Sequence, residues 1–186
     1  MSPDEILLDG EEAMEKSVAY MVHEFTSVRT GKASPALVEN IEVEAYGAQM
    51  RLKQLAVITT PETRMLVIQP FDASTLKDIE RGIKESKVGI NPISDGKLIR
   101  LPIPELTAER RLEMVKTTKH MAEEARVRVR AARREAIEAS RKAEKAALIS
   151  EDVLKTLEEE IQKLTNKYVA EIDKHLSHKE AEITTV

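Results

Sequence analysis

The sequence predicts an α+β chain, a long three-helix bundle interrupted by one inserted α+β unit. Three observations carry that prediction. The stretch from about Glu105 to Leu148 holds no proline or glycine and is rich in Ala, Glu, Arg and Lys, so its helix propensity is high. Apolar residues at helical spacing also occupy both ends of the chain, whereas the stretch from about Lys32 to Ile103 reads as short strands, turns and one helix. Glycine and proline mark the two places where these patterns meet, Thr30-Gly31 and Pro102 to Pro104. One helix cannot bury a seam alone, but three can.

The elements follow in order. Ser2 is placed as an N-cap, with Pro3 at the first helical position and Glu5 completing a capping box. Met14, Val18, Met21, Phe25 and Val28 form the inner edge of this first helix, Gly10 is its one weak spot, and Gly31 is its expected left-handed stop. Ile41 to Tyr46 alternates as a half-buried strand, Gly47-Ala48 reads as a turn, and Met50 to Leu55 as a return strand. Val57 to Thr60 and Met65 to Gln69 read as strands separated by Pro61. Asp72 or Ser74 caps a helix with Leu76, Ile79 and Ile83 on its edge. Gly89 to Pro92 breaks that helix, and Asp95-Gly96 signals a hairpin between Ile93-Ser94 and Lys97 to Leu101. Thr107 caps the long helix, whose seam runs through Leu112, Val115, Thr118, Ala122, Ala125, Val129, Ala132, Ala136, Ala139, Ala143 and Ala146. Ser150 caps the last helix, with Val153, Leu157, Ile161, Leu164, Tyr168, Ile172, Leu176 and Ile183 along its edge.

The long helix has a second stripe. At ~100° per residue, Lys119, Arg126, Arg130, Arg133, Arg134 and Arg141 fall within roughly 100° of one another and well away from the alanine seam. The net charge of −4 hides this local basicity: eight bases and three acids lie between Arg126 and Lys145, while Met1 to Thr30 carries seven acids against two bases. A charge run is by default a solvated helix face. Arginine's planar fork suits phosphate, which favours an anionic partner on one face.

Composition excludes several functions. Aromatics make up 3% of the 186 residues, too few for base-stacking platforms along a single strand. Cysteine is absent, which removes thiol chemistry and cysteine metal sites. His175 and His178 share a helix face without a third ligand motif, and no phosphate-cradling glycine loop is present. Neither an enzyme, nor a metal, nor a cofactor is expected. The acidic N-terminus and the lack of a long apolar run predict a soluble cytoplasmic protein without a membrane anchor. Folded RNA contacted through phosphate fits best, nothing resembles a DNA-reading motif, and a helical adaptor binding an acidic protein is the rival.

Several motifs then carry a family resemblance. Arg29-Thr30-Gly31-Lys32-Ala33-Ser34-Pro35 resembles the RTGRASP signature that closes helix one of ribosome recycling factors. Gly89-Ile90-Asn91-Pro92 and the run from Ile99 to Arg111 resemble that family's GxNP and IRxPxPxLTxERR. Ala125 to Ala136 resembles its arginine-rich segment, Ile149 to Asp152 the start of its last helix, and His178 to Glu182 its C-terminal end. Lys32 stands where the family has arginine, and Ala108 where glutamate is common.

The resemblance implies an L-shaped, transfer-RNA-like pair: a three-helix bundle (1–30 and 105–186) and a β/α/β sandwich (31–104), with hinge segments at 30–31 and 102–104. It implies a translation factor, expected as a monomer, that binds the post-termination ribosome on large-subunit ribosomal RNA near the intersubunit bridges. With elongation factor G and GTP it separates the subunits. Arg110, Arg130 and Arg133 are the implied RNA contacts, alongside Lys119, Arg126 and Arg134 of the stripe; Arg29, Gly31, Pro102 and Pro104 are the implied hinge.

Overall fold

The computed structural model describes residues 1–28 and 30–185. In chain order the elements are α1 (Pro3–Thr26), β1 (Glu42–Ala45), β2 (Ala48–Arg51), the single turn α2 (Leu52–Leu55), β3 (Ala56–Glu62), β4 (Met65–Pro70), α3 (Leu76–Glu85), β5 (Ile93–Ser94), β6 (Ile99–Pro102), α4 (Ala108–Lys145) and α5 (Glu151–Thr184). They form two compact units, one of Met1–Val28 with Leu112–Thr185 and the other within Arg29–Arg111.

The first unit is helical. Ser2 Oγ accepts from the Glu5 N–H at 3.2 Å and Glu5 Oε2 accepts from the Ser2 N–H at 2.7 Å, the reciprocal box that satisfies two orphan donors of α1. The helix closes at Thr26, earlier than Gly31, because hydroxyls compete for its last carbonyls: Thr26 Oγ1 donates to His23 O and Ser27 Oγ to Glu24 O, each at 2.6 Å. Gly31 does adopt a left-handed φ of +81°, but it turns the following segment instead of capping the helix. Gly10 is a contact rather than a weak spot. It is buried on α1, and a Cβ there would lie 3.3 Å from Ala136 Cβ on α4.

The core runs along the three helices. Met14, Val18, Met21 and Phe25 of α1, Ala122, Ala125, Val129 and Ala132 of α4, and Tyr168 and Ile172 of α5 form one buried cluster. Further along, Ile6, Ala136 and Ile161 form another. The predicted α4 seam shifts in three places, one of them Ala146, which is exposed just beyond the end of the helix at Lys145. Leu112 is 66% exposed, and Ser140, not Ala139, is fully buried. A strict three-four alternation drifts against 3.6 residues per turn, and the step of four from Ala136 to Ser140 corrects the drift. Ser140 Oγ donates to Ala136 O at 2.8 Å, so its burial leaves no orphan donor. On α5, Val153 is exposed and Thr165 takes a core position beside the half-buried Leu164, donating to Ile161 O at 2.8 Å.

The α4–α5 connection closes on an unusual residue. Ala147 takes φ +58°, and the Leu148 N–H donates to Ala143 O at 2.9 Å. That hydrogen bond belongs to a glycine-type helix stop. Ser150 then caps α5, its Oγ accepting from the Val153 N–H at 3.2 Å.

The second unit holds two antiparallel sheets, β1-β2 and β3-β4-β6-β5. Pairing of Ala45 with Ala48 leaves Tyr46-Gly47 as a two-residue turn, one residue earlier than the sequence suggests, and both take positive φ (54° and 74°). The return strand stops at Arg51 because Leu52 and Leu55 are both buried. Residues three apart face one side only on a helical turn, not on a strand. Pro61 lies inside β3, tolerated because β3 is an edge strand whose register shifts between Thr59 and Glu62. Asp72 Oδ1 accepts from the Ser74 N–H at 2.9 Å and opens the 3₁₀ turn leading into α3. Gly82 lets α3 meet β1, since a Cβ there would lie 2.9 Å from Val43 Cγ2. Ile79 and Ile83 of α3 thus share one core with Val43, Leu66, Ile68, Ile99 and Leu101. The β5–β6 loop spans four residues, Asp95 to Leu98, because Asp95 Oδ1 accepts from the N–H groups of Leu98 (2.8 Å) and Lys97 (3.0 Å). Those donors hold its carboxyl below the ordinary aspartate range.

Ala147→Gly is expected to stabilise the protein by about 1 kcal/mol, the cost of holding a Cβ in left-handed geometry. Chemical denaturation monitored by circular dichroism measures it, and an unchanged or lowered midpoint would contradict the strain.

Candidate nucleic-acid interface

Helix α4 spans 38 residues, about 57 Å at 1.5 Å per residue, and displays its cations at fixed intervals. Their surroundings divide them. Arg126 is largely buried, its side chain 19% exposed, and it reaches across to α5. Its Nη2 donates to Asp173 Oδ1 at 2.6 Å, its Nε to the same oxygen at 3.1 Å, and its Nη1 to Glu123 Oε2 at 3.1 Å. The Asp173 bond, and then the Glu123 bond, raise its pKa above the ordinary arginine value. Arg126 is therefore a compensated tie between helices, although the sequence groups it with the stripe.

Apart from Arg141, the other stripe residues are less committed. Arg130 Nη1 lies 3.4 Å from Glu123 Oε1 and Arg133 Nη1 lies 3.5 Å from Gln162 Oε1, both long, weak contacts. Lys119 and Arg134 are exposed and have no ion pair among the described residues. Arg141 Nε donates to Glu158 Oε1 at 2.9 Å. Arg110 lies in the first turn of α4, in the other compact unit, with its N–H donating to the capping Thr107 Oγ1 at 3.1 Å. Lys119, Arg130, Arg133 and Arg134 thus form one cationic face, with Arg126 among them but drawn toward Asp173 on α5.

One cation escapes the sequence pattern. Arg128 is exposed, and its guanidinium carbon sits 4.6 Å from the centroid of the Tyr20 ring on α1. It lies about 160° around the helix from Arg130's side of the seam, so a search for one stripe passes over it. An exposed tyrosine in a chain with so few aromatics is the signal that finds it.

α1 and α5 are tied separately. Tyr168 donates its hydroxyl toward Glu11 Oε1 (2.8 Å) and Glu15 Oε1 (3.0 Å). Burial, reinforced by both carboxylates, pushes that hydroxyl far above its ordinary pKa.

Of the predicted hinge residues, Arg29 lies outside the described residues. Gly31 and Pro104 line one small pocket of about 50 Å³ with Ile103, Glu105 and Leu106, while Pro102 ends β6 opposite Met65. The β3–β4 turn fastens both segments. The Ala33 N–H donates to Thr63 O at 2.7 Å, the Ile103 N–H to Arg64 O at 2.8 Å, and Arg64 pairs with Glu105. Sequence reading misses this, because nothing local marks Thr63-Arg64 as a partner of residues 30 and 39 positions away.

Among the described residues no group of three or more His, Cys, Asp or Glu side chains could hold a metal ion, and no helix is long and apolar enough to cross a membrane.

Comparison with known proteins adds an independent line. The family model described as ribosome recycling factor matches residues 21–184. A protein of Akkermansia muciniphila named ribosome-recycling factor is 53% identical over the full length of both chains. A solution structure of the ribosome recycling factor superposes with a TM-score of 0.79 at 44% identity, covering 100% of this chain and 99% of that one. A second structure describes the T. thermophilus ribosome recycling factor and the E. coli elongation factor G bound to the E. coli post-termination complex. It superposes with a TM-score of 0.68 at 40% identity, covering 98% of this chain and 99% of that one.

Arg126→Ala is expected to lower stability by about 0.5–1 kcal/mol, the range for a partly exposed charged tie. Arg134→Ala is expected to leave it unchanged within ~0.5 kcal/mol. Thermal melts distinguish the two, and a double-mutant cycle with Asp173→Ala isolates the pair. Equal melting of both variants would place Arg126 on the open face.

Proposed function

The chain belongs to the ribosome recycling factor family, and we propose that it binds post-termination ribosomes through the cationic face of α4 and, with elongation factor G and GTP, separates them into subunits for new initiation. The observation that supports this most is the set of weakly compensated cations, Lys119, Arg130, Arg133 and Arg134, on one continuous helix. Guanidinium groups held by long contacts at 3.4 and 3.5 Å exchange them for phosphate at little loss. Arg126 and Arg141 keep α4 fastened to α5 while the face is engaged. Arg110 adds a further phosphate contact at the start of the helix.

The partner is elongation factor G, the protein accompanying the T. thermophilus factor in its described complex. The protein supplies no catalytic group; GTP hydrolysis by the partner supplies the work. It acts as a monomer in the cytoplasm, where its substrate, the spent ribosome, is found. Gly31, Pro102 and Pro104 form the hinge that lets the β-containing unit respond to the translocase. An adaptor role toward an acidic protein is the rival, and salt separates the two, since docking on RNA weakens steeply as salt rises.

On post-termination ribosomes with elongation factor G and GTP, the protein is expected to accelerate subunit separation, read by light scattering; no acceleration overturns the proposal. Arg133→Ala is expected to weaken ribosome binding by ~1–3 kcal/mol, the worth of a charge-assisted contact, with an unchanged melting transition. Pro104→Gly, which loosens one crossing, is expected to slow splitting more than it weakens binding. Equal loss of both would give Pro104 a purely structural part.

A further inference from the structure

Arg128 differs from every other arginine in the middle of α4. Arg126, Arg130, Arg133 and Arg141 each meet an oxygen of Glu123, Asp173, Gln162 or Glu158, and Arg134 extends into solvent. Arg128 alone is oriented without being compensated. The Tyr20 ring, 47% exposed, holds its guanidinium at 4.6 Å, and no described residue accepts a hydrogen bond from it. A cation over a ring at such an exposed site contributes little to folding, but it restrains the guanidinium and leaves its N–H groups without an acceptor among the described residues. A fork restrained beforehand loses less freedom on meeting a phosphate than a free side chain does.

The setting is not uniformly basic. Glu24 on α1 and Glu124 on α4 each lie one turn from the pair; Glu124 Oε1 is 3.2 Å from His120 Nε2, and Lys16, one turn before Tyr20, pairs with Glu12 at 2.8 Å. Neither Glu24 nor Glu124 bonds to Arg128, so its charge is available to a ligand.

Resting on the RNA-docking reading above, we propose that Arg128, restrained by the Tyr20 ring, takes a backbone phosphate of ribosomal RNA on the α1 flank of the helix, so that the RNA footprint straddles α4 rather than lying on one face. Tyr20 is the positioning residue and Arg128 the contact. The chemistry is a bidentate guanidinium–phosphate pair, which reads no sequence and registers the helix against the RNA backbone.

Co-sedimentation with salt-washed bacterial large ribosomal subunits over a salt series tests this, with hydroxyl-radical probing of the RNA backbone. Arg128→Ala is expected to bind about tenfold more weakly, with its salt slope reduced by about one and one stretch of backbone protection lost. Tyr20→Phe keeps the ring and is expected to match the wild type. Tyr20→Ala is expected to lose affinity while keeping the slope, because the charge remains. Melting curves check folding, and Arg128→Lys, which keeps charge and stem, replaces Arg128→Ala if that variant does not fold. It is expected to keep the slope but lose part of the affinity, whereas wild-type affinity would overturn the bidentate contact. Wild-type binding by Arg128→Ala alongside weakened binding by Arg133→Ala overturns this inference alone. Failure of the wild-type protein to bind overturns the docking reading and this inference together. Weakened binding of Arg128→Ala with RNA protection unchanged assigns the contact to a ribosomal protein and also overturns it.

Discussion

Helix α4 brings little volume to the bundle. Its buried positions are Thr118, Ala122, Ala125, Val129, Ala132, Ala136, Ser140 and Ala143, so the core is filled from the other two helices, by Met14, Met21 and Phe25 on one side and Ile161, Tyr168 and Ile172 on the other. Small side chains bring helix axes together, and at Gly10 the approach allows no Cβ without displacement of Ala136. Narrow packing leaves most of the circumference of α4 outside the core. That circumference is where the cations stand, and their number does not conflict with burial because the seam needs so few large residues.

The same economy decides which cations are open. α5 lies close enough to α4 for Asp173 and Glu158 to reach Arg126 and Arg141, and Glu123 on α4 itself is shared between Arg126 and Arg130. Compensation by these carboxylates is uneven along the helix. It fastens two arginines into the structure and leaves others weakly held. A formal charge count treats them alike, whereas their readiness to meet phosphate differs with every neighbour.

What could be read from sequence was local chemistry. The Ser2–Glu5 box, the Thr107 and Ser150 caps, and the Ile79–Ile83 edge each depend on residues within a turn of one another, and each is present. Departures arose where distant residues decide. Leu52 and Leu55 form a helical turn because both meet the core. Pro61 stays in a strand because that strand is an edge. On the candidate face, a helical wheel places Arg126 beside Arg130 but is blind to Asp173, 47 residues on, and it gives no reason to couple Arg128 to Tyr20. Periodicity reports which side of a helix a residue is on; it does not report what waits there.

The fastening at Thr63 and Arg64 has a consequence for how the β-containing unit is constructed. Its entering and leaving strands of chain, at Ala33 and Ile103, are anchored to consecutive residues of one turn. A segment whose two ends meet at a single point is self-contained in the manner of a cassette. It has its own core, and its described strand pairs all lie between Ala33 and Ile103. Such a segment suits excision with its ends joined by a short linker, or transfer into another host loop of matching width. The junction of the insertion is thereby as much a part of its architecture as its sheets.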